Sequence, residues 1–371
     1  MLALPTQRSR RRDRRTVRNV PSAPERRHDV TVVITSYNYA RYLEAAAMSA
    51  LTQRDVDVRL LIVDDCSSDG TAEVTARLSE DPRVSVITHV ANLGHIPSVN
   101  EAFSLVESEF TVKLDADDLL APGALARSVA LLESDPGIAF VYGRPLHFEG
   151  SPPPIDDDDT ASWSIWKGAT WLGRRCADAT CVISQPEVVT RTSFLRRALP
   201  VREDLPHTSD VHFWLQLAAL GDVGRINGPV QGLYRVHDQS MQRTVHSGAL
   251  FDLEGRRDAY AAAFAGPAGD LVGAEELHAT ARRRLAVLSL DLACRAYDRG
   301  RTDSQPVDAY RSFALEVWPE SASLPAWRAL ERRRELGPDR AARRPRAYID
   351  AAGRRAGDSF SRWRWQRTGE W

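Results

Sequence analysis

The sequence predicts an α/β protein, a doubly wound and mostly parallel sheet with helices on both faces, followed by a helical C-terminal region. Three observations predict it. Five short β-rich runs, Val30–Thr35, Arg59–Val63, Val84–Thr88, Phe110–Leu114 and Ala139–Tyr142, are apolar almost without interruption, as strands covered on both faces are. Helix-like stretches separate them. The alternation continues for about 110 residues, and right-handed crossovers turn such a series into an open parallel sheet.

In chain order, residues 1–28 are rich in Arg, Ser and Pro and lack an apolar period, so they are expected to be a disordered basic tail. The sheet-building domain covers 29–244, in two halves at 29–145 and 146–244. Its helices are expected at Ala40–Leu51 after an Asn38 cap, and at Thr71–Leu78 after Ser67-Ser68-Asp69. Two more are expected at Ser98–Val106 after Pro97 and at Ala124–Leu132 after Pro122-Gly123. Residues 150–163, with Pro152–Pro154 and Asp156–Asp159, read as an exposed loop. Beyond it Gln185–Leu199 and Val211–Leu220 look helical. From 245 to 371 the chain is helical and Arg-rich, with Leu285, Leu288 and Leu292 as a core-facing stripe. The Trp- and Arg-rich end, Phe360–Trp371, suits either a membrane interface or folding back on its own domain.

Composition narrows the function classes. With 371 residues, 43% apolar and 27% charged, the chain has ample core without staples. A net charge of −1 gives no global drive toward nucleic acid or membrane, although residues 1–29 alone carry nine Arg against Asp13, Glu25 and Asp29. Only two of the 49 basic residues, Lys113 and Lys167, are lysines. Cys66, Cys176, Cys181 and Cys294 have no zinc-site spacing, and a reduced state is expected for the Cys176/Cys181 pair. No apolar run reaches the roughly 18 residues of a membrane span, and no apolar segment backs the N-terminal arginines as in a signal peptide. A soluble, cytoplasmic protein is expected.

In an open parallel sheet, ligands bind beyond the carboxyl ends of the strands. There the sequence places Thr35-Ser36-Tyr37-Asn38, then Asp64-Asp65-Cys66-Ser67-Ser68-Asp69-Gly70-Thr71, then Asp115-Ala116-Asp117-Asp118. Carboxylates gathered in one desolvated crevice repel unless a cation or hydrogen-bond donors compensate them. The economical occupant is a divalent metal with oxygen ligands, holding a phosphorylated substrate. Asp64 and Asp69 suit turns and helix caps equally well. In an extended ending, Asp115 and Asp117 face one side and Asp118 the other. The first strand lacks a G-x-G-x-x-G turn, and no G-x-x-x-x-G-K-[ST] occurs, which disfavours dinucleotide and P-loop folds.

Val33-Ile34-Thr35-Ser36-Tyr37-Asn38, Val63-Asp64-Asp65-Cys66-Ser67-Ser68-Asp69-Gly70-Thr71, Asn92-Leu93-Gly94-His95 with Asn100, and Leu114-Asp115-Ala116-Asp117-Asp118 occur in this order. Together they resemble the nucleotide-binding half of the family 2 glycosyltransferases, which have the GT-A fold, over about residues 29–240. The resemblance implies an inverting enzyme with a UDP- or dTDP-sugar donor and a divalent metal, Mg2+ or Mn2+. Carried over by position, Thr35 and Tyr37 line the base and ribose pocket, and Asp65 accepts the imide N–H of the base. Gly94 allows close backbone approach, Asp115 lies near ribose and metal, and Asp117 with Asp118 binds the metal.

Ser209-Asp210-Val211-His212-Phe213-Trp214 resembles the segment bearing the family's general base, with Ser209 in place of its first acid. Asp210 is the favoured base, and Asp204 of the upstream Glu203-Asp204 pair is the competitor. Tyr234-Arg235-Val236-His237-Asp238-Gln239-Ser240 resembles the family's Tyr-Arg-x-His-x-x-Ser element and assigns His237 to the metal or phosphate. The acceptor is open among a saccharide, a lipid-linked sugar and a natural product or peptide side chain. Trp163, Trp166 and Trp171 suit sugar stacking and core packing alike. Nucleic acid is not an expected partner. Peripheral contact with the inner face of a membrane through the basic tails is compatible with the sequence, as is an oligomer. The alternative function is a nucleotide-sugar-binding scaffold without transfer.

Overall fold

The computed structural model describes residues 14–155, 161–237 and 248–344, with scattered positions from 353 to 365. A ten-stranded sheet organises the first compact unit, which comprises Met1–Trp171 and Val182–Ser240 in its described residues. The strands are β1 (Arg14–Arg18), β2 (Asp29–Ser36), β3 (Asp57–Asp64), β4 (Val84–Thr88) and β5 (Phe110–Asp115). They continue with β6 (Leu119–Leu120), β7 (Ile138–Phe148), β8 (Ser162–Trp166), β9 (Val189–Arg191) and β10 (Asp222–Arg235). Their order is β1-β8-β10-β7-β9-β5-β2-β3-β4, with β6 paired to β10.

The stretch β5-β2-β3-β4 is parallel throughout. Its members are four of the five strands expected from uninterrupted apolar runs, and the fifth run, Ala139–Tyr142, lies within β7. In β2 every residue from Val30 to Ser36 is buried. Helices α1 (Ala40–Leu51), α2 (Thr71–Leu78), α3 (His95–Ser104) and α4 (Ala124–Ser134) connect or flank these strands. Leu43, Ala46, Ala47, Ala50 and Leu51 of α1 form the apolar face that an amphipathic spacing dictates. The chain leaves β2 toward β3 on one side and reaches β5 on the other. The crevice beyond β2 and β5 is therefore a topological switch point, the place where such sheets bind ligands.

Several expectations change in the folded chain. Part of the tail expected to be disordered is strand β1, which pairs antiparallel with β8 from Arg14↔Trp166 to Arg18↔Ser162. A strand edge supplies backbone partners regardless of composition, and the Arg14 guanidinium lies over Trp166 while donating to Ser164 Oγ at 2.8 Å. Gln185–Leu199 is not one helix. Val188-Val189-Thr190 favours extended backbone, and β9 fills the gap between β5 and β7 before α6 (Thr192–Ala198) begins. Trp163, Trp166 and Trp171 are core side chains, at most 5% exposed, so they offer no stacking surface to a sugar. The third helix starts at His95 because proline is tolerated in a first turn. The expected loop at 150–163 gives way to β8 at Ser162; residues 156–160 lie outside the described ones.

The second unit comprises Leu172–Cys181, the end of α5 (Gly168–Asp178), with Met241–Trp365 in its described residues. Within it, α9 (Ala274–Asp298) packs against α8 (Ala249–Phe264), α10 (Val307–Val317), α11 (Pro325–Leu336) and α12 (Pro338–Ala342). Leu285 and Leu290 of α9 are fully buried, while Leu288 and Leu292 are half-buried, so the buried face is rotated from the expected stripe. No disulfide links the four cysteines. Among the described residues no helix is long and apolar enough to cross a membrane. Trp371 lies outside the described residues.

Candidate active site

The ends of β2, β3 and β5 set the frame. Register places Thr35 beside Asp115 and Ser36 beside Asp64. Two of the acids here serve the scaffold. Asp64 accepts from the Ser67 amide and hydroxyl, closing its own turn. Asp69 accepts from the amide and hydroxyl of Thr71, at the start of α2, and from the Ala40 amide, at the start of α1. It satisfies orphan donors on two helices at once. Asn38 does not cap α1. It sits at φ 60°, and its side-chain carbonyl accepts from the Ser68 amide at 2.8 Å, hooking the β2–α1 and β3–α2 loops together.

Asp65 is buried and already holds three protein donors. The Leu93 amide (2.7 Å) and His89 Nδ1 (2.8 Å) meet Oδ1, and the Gly94 amide (2.8 Å) meets Oδ2. Burial raises its pKa, but His89 and the two amides outweigh that and hold it below the usual carboxylate value. Gly94 opens α3 at φ 99°, a conformation that L side chains rarely adopt. Thr35 Oγ1 lies 3.3 Å from His95 Nδ1. Burial, and then the charge of Lys113, push His95 down to about 4, so its imidazole is neutral near pH 7. Tyr37 is largely exposed, at 46%.

The Asp115–Asp118 ending is a turn, closed by the Asp118 amide donating to the Asp115 carbonyl at 3.0 Å, instead of the extended ending expected. Asp117 and Asp118 nonetheless diverge. Asp117 Oδ2 lies 2.8 Å from His237 Nε2, whereas Asp118 Oδ1 accepts the Arg235 amide of β10 at 2.8 Å. Lys113 Nζ pairs with Asp115 at 2.5 Å. Burial raises Asp115, but Lys113 and His95 outweigh it, and the net shift is down. Burial and the charge of Asp115 raise Asp117; burial, Asp115 and Asp117 raise Asp118 well above the carboxylate range. Tyr39 is pushed up to about 12 by burial and by Asp117 and Asp115. Arg235 donates to the carbonyls of Asp117 and Gly150 and lies against the rings of Tyr42 and Phe148. Its charge is spent on holding the turn.

This donor set fits a divalent cation. Asp117 and His237 converge, Asp118 Oδ2 is a buried oxygen without a hydrogen-bond partner among the described residues, and crowded negative charge raises two acids. Among the described residues no three His, Cys, Asp or Glu side chains close on an ion by themselves. One or two carboxylates completed by substrate phosphates is a common arrangement for magnesium. Residues 238–240 of the His237 element lie outside the described residues.

Asp210, in the first turn of α7 (Ser209–Leu220), lines a cleft together with Ser209, His95, Lys113 and Gln185 over an apolar floor that includes Phe213 and Trp214. Asp210 is itself solvent-exposed; the protein packed around its carboxylate raises its pKa, opposed first by the Val211 amide and then by Lys113. Asp204 is exposed and gripped by the Arg202 guanidinium at 2.6 and 2.5 Å, and it does not line this cleft. Thr35, Asp65, Asp115 and Asp210 are thus linked through His95 and Lys113, while Asp117 and Asp118 reach the same group through Asp115. Sequence reasoning missed His89, His95, Lys113, Gln185, Tyr39 and Arg235 as site residues. Lys113 carried a signal, being one of two lysines in an arginine-dominated chain. His89 carried none.

Comparisons with known proteins bear on the family and the fold. The family described as Glycosyl transferase family 2 matches residues 31–177. An uncharacterized glycosyltransferase of Nostoc sp. is 28% identical over 173 residues, 46% of this chain and 53% of that protein. The succinoglycan biosynthesis protein ExoO of Rhizobium meliloti is 36% identical over 109 residues, 29% of this chain and 31% of that one. The chain spans about half the length of the first of these relatives and less of the second. Among solved structures, S. aureus TarS 1-349 in complex with UDP-GlcNAc superposes with a TM-score of 0.60 at 15% identity, covering 87% of this chain and 92% of that one. The mannosyltransferase PcManGT from Pyrobaculum calidifontis, in complex with GDP-Man and Mn2+, gives 0.51 at 20% identity over 86% and 83%. At these identities the likeness is one of fold.

Proposed function

We propose that this chain, whose residues 31–177 match glycosyl transferase family 2, transfers a sugar from a UDP- or dTDP-sugar to an acceptor hydroxyl with inversion. The observation that carries this reading is the gathering of Asp115, Asp117, Asp118 and His237 at the switch-point crevice, with Asp210 in a cleft that shares Lys113 and His95 with them. Thr35 and Tyr37 would line the base and ribose, and Asp65 and the Gly94 turn would meet the base edge. Asp115 would approach the ribose.

Asp117, Asp118 and His237 would hold Mg2+ or Mn2+, which when bound offsets charge developing on the leaving diphosphate. Asp210 takes the proton of the acceptor hydroxyl as its oxygen attacks the anomeric carbon from the face opposite the leaving nucleoside diphosphate. The carbon–oxygen bond to the diphosphate breaks and the configuration inverts. A carboxylate whose pKa is raised above its ordinary value suits a general base.

The relatives' names support a saccharide acceptor in polysaccharide biosynthesis; a lipid-linked sugar or natural product fits the same chemistry. The reading includes a cytoplasmic enzyme with peripheral membrane contact through its basic N-terminal stretch, and no nucleic-acid partner. A panel of UDP-, dTDP- and GDP-sugars with and without Mg2+ or Mn2+ tests it. Metal-dependent release of nucleoside diphosphate from one donor is the expected result. Binding of a donor without turnover would assign the chain to a non-catalytic scaffold.

A further inference from the structure

His89 bridges two carboxylates. Its Nδ1 lies 2.8 Å from Asp65 Oδ1 and its Nε2 lies 2.6 Å from Glu101 Oε2. The His89 and Asp65 side chains are 7% and 5% exposed, and that of Glu101 is 42% exposed. Asp65 belongs to the end of the β3 segment, Glu101 to α3, and His89 follows β4, so the ring ties three elements at the rim. An imidazole donates through both nitrogens only when it is protonated. A neutral ring would turn a lone pair toward one of the two carboxylates.

The same Asp65 carboxylate accepts the amides of Leu93 and Gly94, the turn that opens α3. Three of its roughly four acceptor sites are therefore filled by protein, leaving one on Oδ2. In the Val90-Ala91-Asn92 stretch between His89 and that turn, Val90 is fully exposed.

We propose that His89 is a positioning residue, a protonated clamp that locks Asp65 and the 89–94 turn in register so that the one unfilled oxygen site meets the donor's nucleobase. This rests on the nucleotide-sugar reading. The groups facing His89 are Asp65, just past β3, and Glu101 from α3, while on the far side of Asp65 stand His95 and, beyond it, Lys113. The hydrogen bond to Asp65, and then that to Glu101, raise His89 above its ordinary value despite burial. The clamp is thus present below the elevated His89 value and is lost as pH rises through it. Nucleotide affinity should be highest below that value and fall above it.

The test is calorimetric titration of the full chain with UDP at fixed free Mg2+ from about pH 7 to about pH 9.5, alongside 15N-imidazole NMR of His89. Expected are two protonated ring nitrogens at about pH 7 and roughly a tenfold loss of UDP affinity across the range. Glu101→Gln removes one of the two stabilising carboxylates without touching Asp65, and it should move both the His89 titration and the affinity loss to lower pH. A packing role for His89 alone would leave the affinity midpoint where it is, even as the His89 titration moved. A neutral His89 at about pH 7, a flat affinity profile, or an unmoved midpoint in Glu101→Gln would each overturn the clamp while the donor reading stood. Failure of both UDP and dTDP to bind at any pH would instead overturn the donor reading, and the clamp's role with it.

Discussion

His237 Nε2 lies 2.8 Å from Asp117 Oδ2, a contact between residues 120 positions apart in sequence. It joins the exit of β10 to the acidic turn after β5. Asp117→Ala and His237→Ala should each abolish the metal-dependent part of UDP binding, measured by calorimetry with and without Mn2+. Because burial and Asp115 raise the Asp117 pKa, proton competition for that carboxylate sets in at a higher pH than for an ordinary aspartate. Metal-dependent affinity should therefore weaken as pH falls, sooner than for an exposed aspartate. Normal affinity in Asp117→Ala would remove Asp117 from the donor site.

Asp210→Asn keeps the shape of the cleft and deletes the base. Turnover should drop by roughly 10²–10⁴-fold with UDP affinity unchanged. Asp204→Ala, which breaks only an exposed pairing with Arg202, should leave turnover within about twofold. Reversal of these two results would make Asp204 the base.

Lys113→Met removes an ammonium that, after the Val211 amide, lowers the Asp210 pKa. The Asp210 pKa then rises, so the acidic limb of the pH–rate profile should move to higher pH. An acidic limb identical to that of the unmodified chain would show that Lys113 does not influence the base.

Gln185 lines the cleft with its backbone at φ 80°, a conformation costing a non-glycine residue on the order of 1 kcal/mol or more. Gln185→Gly should raise the melting temperature, or at least preserve it, while lowering kcat/KM for the sugar donor. Stability and activity falling together would mean that the glutamine serves the fold.

Asp69→Ala should cost about 2 kcal/mol in chemical denaturation, since it uncaps α1 and α2 together. Burial raises the Asp69 pKa, but the bonds from Thr71 and Ala40 outweigh it and the net shift is down. Its contribution is present above the unfolded carboxylate pKa and is lost as pH falls through the lower folded value. UDP affinity of the folded variant should be unaffected.

Local patterning made the parallel half of the sheet legible. Continuous apolar runs such as Val30–Ile34, and helices such as Ala40–Leu51 with its regular buried face, are dictated by burial within one segment. The rim acids were legible too, because a carboxylate directly after a buried strand must sit at its carboxyl end. β9 was read as helix, because a three-residue strand exists only where β5 and β7 leave a gap for it. β1 was missed for the same reason, since its partner β8 lies about 150 residues away.

Which acid supports the fold and which is left for a ligand came only with the folded chain. Asp64, Asp65 and Asp69 lie within six residues of one another and look alike in a string. One closes its own turn, one is clamped by His89, Leu93 and Gly94, and one caps two helices. Patterning along a chain encodes burial, which is a property of each residue in its own segment. Except within the tightest turns, the partners of a carboxylate's lone pairs come from remote segments and have no period, so packing alone assigns them.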